Sequence, residues 1–250
     1  MISRESRFNS FVSLIKLIDH EIISTFPGIV RINVHKEDNS FTVYSKRFPF
    51  LIGKTLDFDF VTNDAPAFTY GHATEFFKEK INRNKTLLGL VIGTGINGAY
   101  MSYYDFKRLS FLKKTFEMGH ITFQIDGERC FCGRKGCAEL YTSGKYIERL
   151  GNGNISRVFS DETLRKRYYR NLATYLTSLV ITISPDKIVF GGSVSKSLEL
   201  PIIKDLLREN MPHHKIDLDI ELERDTSVLS NIDGLKKLYR RFKKVRRVFI

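Results

Sequence analysis

The sequence predicts an α/β fold, because segments with the periodicity of strands alternate with segments that have the periodicity of helices. Residues 86–101 combine an apolar run, a glycine turn and a second apolar run, which indicates two neighbouring strands. Residues 161–184 have the length and apolar spacing of a long helix, and residues 186–192 follow as a strand that ends in two glycines. A chain of 250 residues can bury a large core of this kind, as one domain or as two lobes.

The same alternation holds nearer the start of the chain. Residues 8–22 carry apolar side chains at helical spacing and predict an amphipathic helix. Three strand candidates follow at residues 22–34, 41–51 and 58–62, the first of them broken by a Pro-Gly turn pair. The next helix is expected to begin at the Asn63-Asp64-Ala65-Pro66 segment, because a capping residue precedes a proline near the first turn.

Three elements complete the chain, a helix at 198–210, a strand at 216–223 and a helix at 232–245. The last helix carries the basic run LKKLYRRFKKVRRVFI, and the whole chain has a net charge of +12 and a pI of about 9.6. The run indicates either a solvated helix face or a surface for an anionic partner. Because the sequence contains no zinc-finger, RNA-recognition or clear helix-turn-helix pattern, nucleic acid is not an expected partner.

Composition indicates a globular protein of the cytoplasm. Apolar residues make up 42% of the chain and charged residues 27%, which is ordinary for a globular domain. No apolar run reaches the roughly 20 residues that a membrane helix needs, and MISRESRFNS lacks the apolar core of a signal peptide. The three cysteines are clustered, unlike the disulfide framework of a secreted domain. We therefore expect no membrane partner.

The cysteines lie together in CFCGRKGCAE, with a histidine ten residues before the first of them. Thiolate and imidazole are ligands that zinc prefers, so His120, Cys130, Cys132 and Cys137 form a set that could close a tetrahedral site. Such a site would leave no position open for water and would be structural. Three buried free cysteines or a redox pair are the alternatives, although C-x-C lacks the two-residue spacer of thioredoxin-like motifs.

A second motif is the glycine turn VIGTGINGA at residues 91–99. Its backbone N–H groups could approach a phosphate, because no side chain stands in the way at the glycines. It is not a Walker loop, since no G-K-[ST] follows, and a strand follows it where a dinucleotide fingerprint would have a helix. A plain hairpin turn is the alternative.

Three acidic residues are candidates for binding or catalysis. Asp64 follows a predicted strand at the start of a helix, where it could accept a proton from a substrate hydroxyl or simply cap the helix. Glu117 lies three residues before His120, and Glu139 lies two residues after Cys137. A zinc site between them would hold both carboxylates close together, and paired carboxylates of this kind commonly bind sugar hydroxyls.

These pieces together resemble the ROK family of sugar kinases and sugar-responsive repressors, within the actin-like ATPase superfamily. The C-x-C-G-x-x-G-C-x-E pattern is the most specific element of the resemblance, and the spacing from the histidine matches as well. The segments that carry the likeness are TFPGIV (25–30), NDA (63–65), VIGTGINGA (91–99), FEMGH (116–120), CFCGRKGCAE (130–139) and DKIVFGGSV (186–194).

The resemblance implies a role for each motif. Asp64 would be the general base that takes the proton from the sugar hydroxyl as it attacks the γ-phosphate of ATP. The sugar would be hydrogen-bonded by Asn63, Glu117, His120 and Glu139. Phosphate would bind at Gly93, Thr94 and Gly95, and the adenosine would lie against Gly191 and Gly192. Zn²⁺ would be structural, with His120 holding it through one ring nitrogen and facing the sugar with the other, while ATP and Mg²⁺ would be required for catalysis.

The resemblance also implies a two-lobed actin-like ATPase fold of the ribonuclease H-like class. Family kinases begin with a strand that carries a D-x-G-x-T phosphate loop, and these 250 residues contain no such segment. We therefore expect a truncated small lobe at 1–84, a large lobe with the zinc motif at 85–231, and a C-terminal helix at 232–250 that returns to the small lobe. A homodimer is expected, because family members often form one. Further departures from the family pattern occur at Arg47, Pro66, Asn97, Ala99 and residues 107–115.

Three functional hypotheses follow. The first is an ATP-dependent kinase for a hexose or N-acetylhexosamine, with Asp64 as the base. The second is a non-catalytic sugar sensor or regulator, favoured by the missing D-x-G-x-T segment, because phosphoryl transfer depends on positioning and charge neutralisation. The third is an interaction protein whose zinc site only stabilises the fold.

Overall fold

A computed structural model of the chain describes residues 60–114, 116–211, 219–227 and 230–246, together with five strands that precede residue 60. The strands are β1 (Lys16–Ile18), β2 (Glu21–Phe26), β3 (Val30–Val34), β4 (Phe41–Ser45), β5 (Thr55–Leu56), β6 (Phe60–Asn63), β7 (Thr86–Ile92), β8 (Ile96–Ser102), β9 (Lys187–Gly191) and β10 (Glu221–Arg224). The α-helices are α1 (Asp64–Phe76), α2 (Tyr103–Arg108), α3 (Glu139–Thr142), α4 (Gly144–Leu150), α5 (Ile155–Ser160), α6 (Glu162–Ile183), α7 (Leu200–Asn210) and α8 (Ser230–Arg246). Short 3₁₀ helices lie at Lys80–Asn84, Ser110–Lys113, Met118–His120 and Ser193–Ser197.

The central sheet has the strand order β10-β9-β7-β8. Strands β10, β9 and β7 run parallel, and β7 and β8 form an antiparallel hairpin in which Ile92 pairs with Ile96. Residues 87–92 of β7 are all buried, which explains why this strand is a continuous apolar run instead of an alternating one. The predicted α/β fold, the hairpin at 86–101 and the helix at 161–184 are therefore confirmed.

The strands before α1 form two smaller groups. Strand β2 lies between β1 and β6, and β4 lies between β3 and β5. The predicted amphipathic helix at 8–22 is wrong over its described residues, because Lys16–Ile18 and Glu21–Phe26 are strands that pair antiparallel. The KLI and EIISTF segments are rich in Ile, which favours strands, and sheet pairing decides between two periodicities that a short apolar run cannot separate. The other residues of that prediction, and the part of 41–51 beyond Ser45, lie outside the described residues.

The other predicted elements near the C-terminus agree with the structure, whereas the short helices α2 to α5 were not predicted. The predicted helices at 198–210 and 232–245 correspond to α7 and α8. Only the last part of the predicted strand at 216–223 is described, and it belongs to β10. Among the residues described here, no helix combines the length and the apolar character that spanning a bilayer would require.

Helix α1 joins the central sheet to the C-terminal helix. The hydroxyl of Thr69 donates to Ala99 O on β8 over 3.2 Å. On its other side α1 meets α8, where a Cβ added to Gly234 would lie 2.0 Å from Ala67 O and one added to Gly71 would lie 3.0 Å from Gly234 Cα. The two helices touch backbone to backbone because both positions are glycine. The predicted lobe boundaries, at residues 84 and 231, stay a prediction.

The residue that follows β10 is tied to α1 by a side-chain hydrogen bond. His72 Nε2 lies 2.8 Å from Asp225 Oδ2, and both side chains are largely buried. The amide of Ser227 donates to Asp225 Oδ1 over 2.8 Å. Burial by itself would raise the pKa of Asp225, but hydrogen bonds from Ser230, Ser227 and His72 outweigh it, so this pKa lies below its ordinary value of 3.8.

Replacing Gly234 with leucine is expected to destabilise the protein by about 1–3 kcal/mol or more, because no side chain fits against Ala67 O without separating α1 from α8. Thermal or urea unfolding measures the effect. The exposed Arg240 on the same helix is the control, and Arg240→Ala should stay within about 0.5 kcal/mol of wild type. Equal stability of the Gly234→Leu protein and wild type would contradict the close helix contact.

Asp225→Asn is expected to cost about 1–3 kcal/mol of unfolding free energy at neutral pH, since hydrogen bonds to a charged group are lost. Because the folded pKa is lowered, the contribution of the carboxylate is present above its ordinary pKa and is lost as the pH falls through the folded value. The difference in unfolding free energy between wild type and variant, measured by urea unfolding, should therefore decrease as the pH is lowered below 3.8. A gap of constant size across that range would argue against the assignment.

Candidate functional site

The side chains of His120, Cys130, Cys132 and Cys137 converge on one point. Their ligand atoms all lie within 4.8 Å of one another. Cys130 Sγ lies 3.5 Å from His120 Nδ1, and Cys132 Sγ lies 3.6 Å from Cys137 Sγ. The structure thus brings together the four residues that the sequence analysis proposed as metal ligands.

The local backbone explains how eight residues supply three ligands. The amide of Cys130 donates to Arg134 O over 2.7 Å, which folds the chain back on itself between the first and last cysteines. Gly136 has a φ of +64°, a conformation that L side chains rarely adopt, and a Cβ there would lie 1.5 Å from Gln124 O. After Cys137 the amide of Ala138 donates to Ile121 O over 2.9 Å, which joins this loop to the histidine segment.

These residues fit a zinc ion. Zn–S and Zn–N bonds of about 2.3 and 2.05 Å in a tetrahedron separate two sulfurs by about 3.8 Å and a sulfur from a nitrogen by about 3.6 Å, close to the spacings found. Burial raises the pKa of the Cys130 thiol, and burial together with the neighbouring thiols raises that of Cys137 to about 12. A bound cation would reverse this balance by stabilising the thiolates.

His120 connects the cysteines to the carboxylates. It is buried, and its Nε2 lies 3.9 Å from Glu117 Oε2, on the opposite side of the ring from Cys130. Burial, together with the smaller effect of the nearby charges of Asp64 and Glu139, raises the pKa of Glu117 to about 7. The structure therefore brings together Asp64, Glu117 and Glu139, which are far apart in the sequence.

Each of the other two carboxylates is fixed by an element of the sheet or by a helix terminus. Asp64 is the first residue of α1, directly after β6, and its Oδ1 accepts from Ala65 N over 2.8 Å. Asn63 occupies the N-cap position of α1, and its side chain makes no capping hydrogen bond. Glu139 begins α3, and its Oε2 accepts from Ile96 N at the start of β8 over 3.3 Å. The alternative that Asp64 is the N-cap residue is therefore wrong, because Asn63 holds that position.

The glycine turn lies between β7 and β8 and is closed by a hydrogen bond from Gly93 N to Gly95 O over 2.9 Å. Gly93 O accepts from Gly144 N over 2.8 Å and Thr94 O accepts from Lys145 N over 3.2 Å, so the turn is anchored on the first turn of α4. A Cβ at Gly93 would meet nothing within 4 Å. Backbone at this turn is thus accessible from one side, as phosphate binding would require.

Close packing explains why glycine occupies positions 191 and 192. A Cβ at Gly191 would lie 2.4 Å from the ring of Phe68 on α1. Gly192 has a φ of +87°, and a Cβ there would lie 2.4 Å from Ile92 O, directly before the glycine turn. Both glycines let β9 approach its neighbours closely. Contact of either residue with adenosine stays a prediction.

Sequence reasoning missed the part that Asn97 plays. It treated this residue only as a departure from the family pattern, whereas its side chain is hydrogen-bonded to the backbone of the Phe116–Met118 segment. An amide two residues after a glycine turn was the available signal, but the sequence could not say which backbone it would meet. Arg47, another departure from the family pattern, lies outside the described residues.

A family model of the ROK family matches residues 20–227. The chain belongs to the ROK family. The N-acetyl-D-glucosamine kinase of Escherichia coli O1:K1 / APEC is 27% identical to this ROK protein over 209 residues, which cover 69% of this chain and 66% of the kinase. The chain therefore spans slightly less than two thirds of the length of that relative.

Solved ROK structures support the fold. A glucokinase of the family from Streptomyces griseus, in complex with glucose and AMPPNP, superimposes with a TM-score of 0.56 at 21% identity and covers 74% of this chain and 69% of its own. A ROK family transcriptional regulator, homologous to the Escherichia coli MLC protein, gives a TM-score of 0.61 at 18% identity over 95% of this chain and 66% of its own. The predicted actin-like ATPase fold is confirmed by these likenesses.

The purified protein is expected to contain one zinc ion per chain, measured by elemental analysis. Cys137→Ser should lower the zinc content and the unfolding free energy by at least about 2 kcal/mol, because a closed structural site contributes directly to folding. Lys135→Ala changes an exposed residue of the same loop and should alter neither quantity. A wild-type protein without stoichiometric zinc would contradict this prediction.

Proposed function

We propose that this ROK protein is a sugar kinase that transfers the γ-phosphate of ATP to a hydroxyl of a hexose or N-acetylhexosamine. The observation that carries the proposal is the convergence of Asp64, Glu117 and Glu139 beside His120, at the edge of the sheet where the glycine turn lies. The relatives that are named as an N-acetyl-D-glucosamine kinase and a glucokinase support it.

The proposed roles follow from where the groups lie. Asp64 is the general base, since it begins a helix directly after β6 and lies near enough to Glu117 for its charge to raise the pKa of that carboxyl. Asn63, Glu117, His120 and Glu139 bind the sugar hydroxyls. A pocket built from such partners rejects an analogue that lacks a hydroxyl, because its buried polar groups would be left unpaired.

The nucleotide would lie on the opposite side of the transferred phosphate from the sugar. Gly93, Thr94 and Gly95 would border its phosphates, with the N–H groups of Thr94 and Gly95 and the Thr94 hydroxyl as donors, because Gly93 N already donates to Gly95 O. Gly191 and Gly192 would border the adenosine. Mg²⁺, which accompanies ATP, would neutralise phosphate charge. Zinc is structural in this proposal: it orients His120 through Nδ1 and takes no part in the chemistry.

A second candidate function is a non-catalytic sugar sensor of the same family. The likeness of this chain's fold to that of the ROK family transcriptional regulator supports this candidate. Sugar binding with no turnover would distinguish it from the kinase. The homodimer and the cytoplasmic location are expectations that accompany both candidates, and sedimentation analysis tests the first.

An ADP-release assay across hexoses and N-acetylhexosamines tests the kinase. Asp64→Asn is expected to lower kcat by roughly 10²–10⁴-fold, because it removes the base, while sugar affinity measured by calorimetry changes little. The matched control is Asp161→Asn, which alters an aspartate at the start of α6 and should leave kcat unchanged. Activity of the Asp64→Asn protein equal to wild type would remove Asp64 from the proposed role.

A further inference from the structure

Asn97 lies at the start of β8, two residues after the glycine turn, and pairs with Val91 across the hairpin. The residue is half-buried. Its side chain turns towards the segment that carries Glu117, not towards the turn. This orientation places an uncharged amide next to the part of the site that is richest in carboxylates.

The side-chain amide makes a hydrogen bond on each side of Glu117. Asn97 Nδ2 donates to Phe116 O over 2.7 Å, and Asn97 Oδ1 accepts from Met118 N over 3.1 Å. The same Oδ1 accepts from Gly98 N over 2.8 Å, which fixes the orientation of the amide on its own strand. The two peptide groups that flank Glu117 are therefore held by a single side chain.

Few side chains could do this. The contact needs one donor and one acceptor on a short, planar group, and asparagine is the side chain of that length that offers both. Aspartate would present an acceptor to Phe116 O and leucine would present neither group. A second contact supports the same arrangement: Gly119 packs so closely on β8 that a Cβ there would lie 2.1 Å from Ile96 O.

Glu117 needs such support. Its backbone has φ of −122° and ψ of +50°, outside regular helix or strand, and its carbonyl oxygen accepts from His120 N over 3.0 Å at the start of a short 3₁₀ helix. Its carboxylate is largely buried beside two other carboxylates, and their mutual repulsion would drive the group outwards. A backbone that is fixed on both sides restricts where the carboxylate can go.

We propose that Asn97 is a positioning residue for sugar binding: by holding Phe116 O and Met118 N it keeps the Glu117 carboxylate aimed at the substrate hydroxyl. The inference rests on the proposed function. Asn97, which departs from the family glycine pattern, would thus help to order the site of this chain.

Two measurements on Asn97→Leu test the proposal. Hydrogen exchange of the Met118 amide should become faster, because its acceptor is lost. Calorimetry with glucose and N-acetylglucosamine should give a Kd at least about 10-fold higher than wild type, and the KM for the sugar should rise while kcat and the KM for ATP change little. Asn97→Asp keeps one acceptor and lacks the donor to Phe116 O, so it should not restore the affinity.

Asn82→Ala is the matched control, since it removes a similar bond, from Asn82 Nδ2 to Phe76 O over 2.9 Å, away from the site. Zinc content and thermal unfolding show that each variant is folded before binding is measured. Unchanged exchange at Met118, or faster exchange with an unchanged sugar Kd, overturns the positioning role. Wild-type protein that binds no hexose or N-acetylhexosamine overturns the proposed function itself, whereas a variant that binds sugar as tightly as wild type overturns only the positioning role.

Discussion

His120 turns its two ring nitrogens towards different groups, Nδ1 to the sulfur of Cys130 and Nε2 to the carboxylate of Glu117. An imidazole bound to a metal through one nitrogen carries its proton on the other, so the orientation of this ring couples the two halves of the site. A metal held by these four ligands would thereby influence the carboxylates without contacting them. Such coupling would give a closed site with no open coordination position a role in the proposed sugar-binding site.

The carboxylate cluster is electrostatically unfavourable without a ligand. Glu117 is buried and lies near two other acids, which raises its pKa to about 7. Such an arrangement persists only where the surrounding structure imposes it. Clusters of this kind therefore indicate a functional site and not a group that stabilises the fold. Hydrogen bonds from Ile96 N to Glu139 and from Ala65 N to Asp64 are part of what imposes it.

The β7–β8 hairpin organises the whole site, because it carries the glycine turn and also donates the bonds that fix two acidic residues. Ile96 binds Glu139, and Asn97 holds the backbone on both sides of Glu117. Helix α1, which begins with Asp64, is joined to the same hairpin through Thr69. The turn proposed to bind phosphate and the contacts that fix the candidate sugar-binding side chains therefore belong to one hairpin, which in the proposed kinase would keep donor and acceptor in register during transfer.

The sequence by itself determined the four residues that converge as a candidate metal site, the glycine turn and most elements after residue 60, because ligand chemistry and apolar periodicity are encoded in short segments. It was wrong at residues 8–22, where helical and strand spacing coincide and sheet pairing decided. Only the tertiary structure brought Asp64 to Glu117 and gave Asn97 its partners. It also showed that the ring of Phe68 leaves no room for a side chain at Gly191. Distances between remote segments depend on how helices and strands pack, and no local pattern contains them.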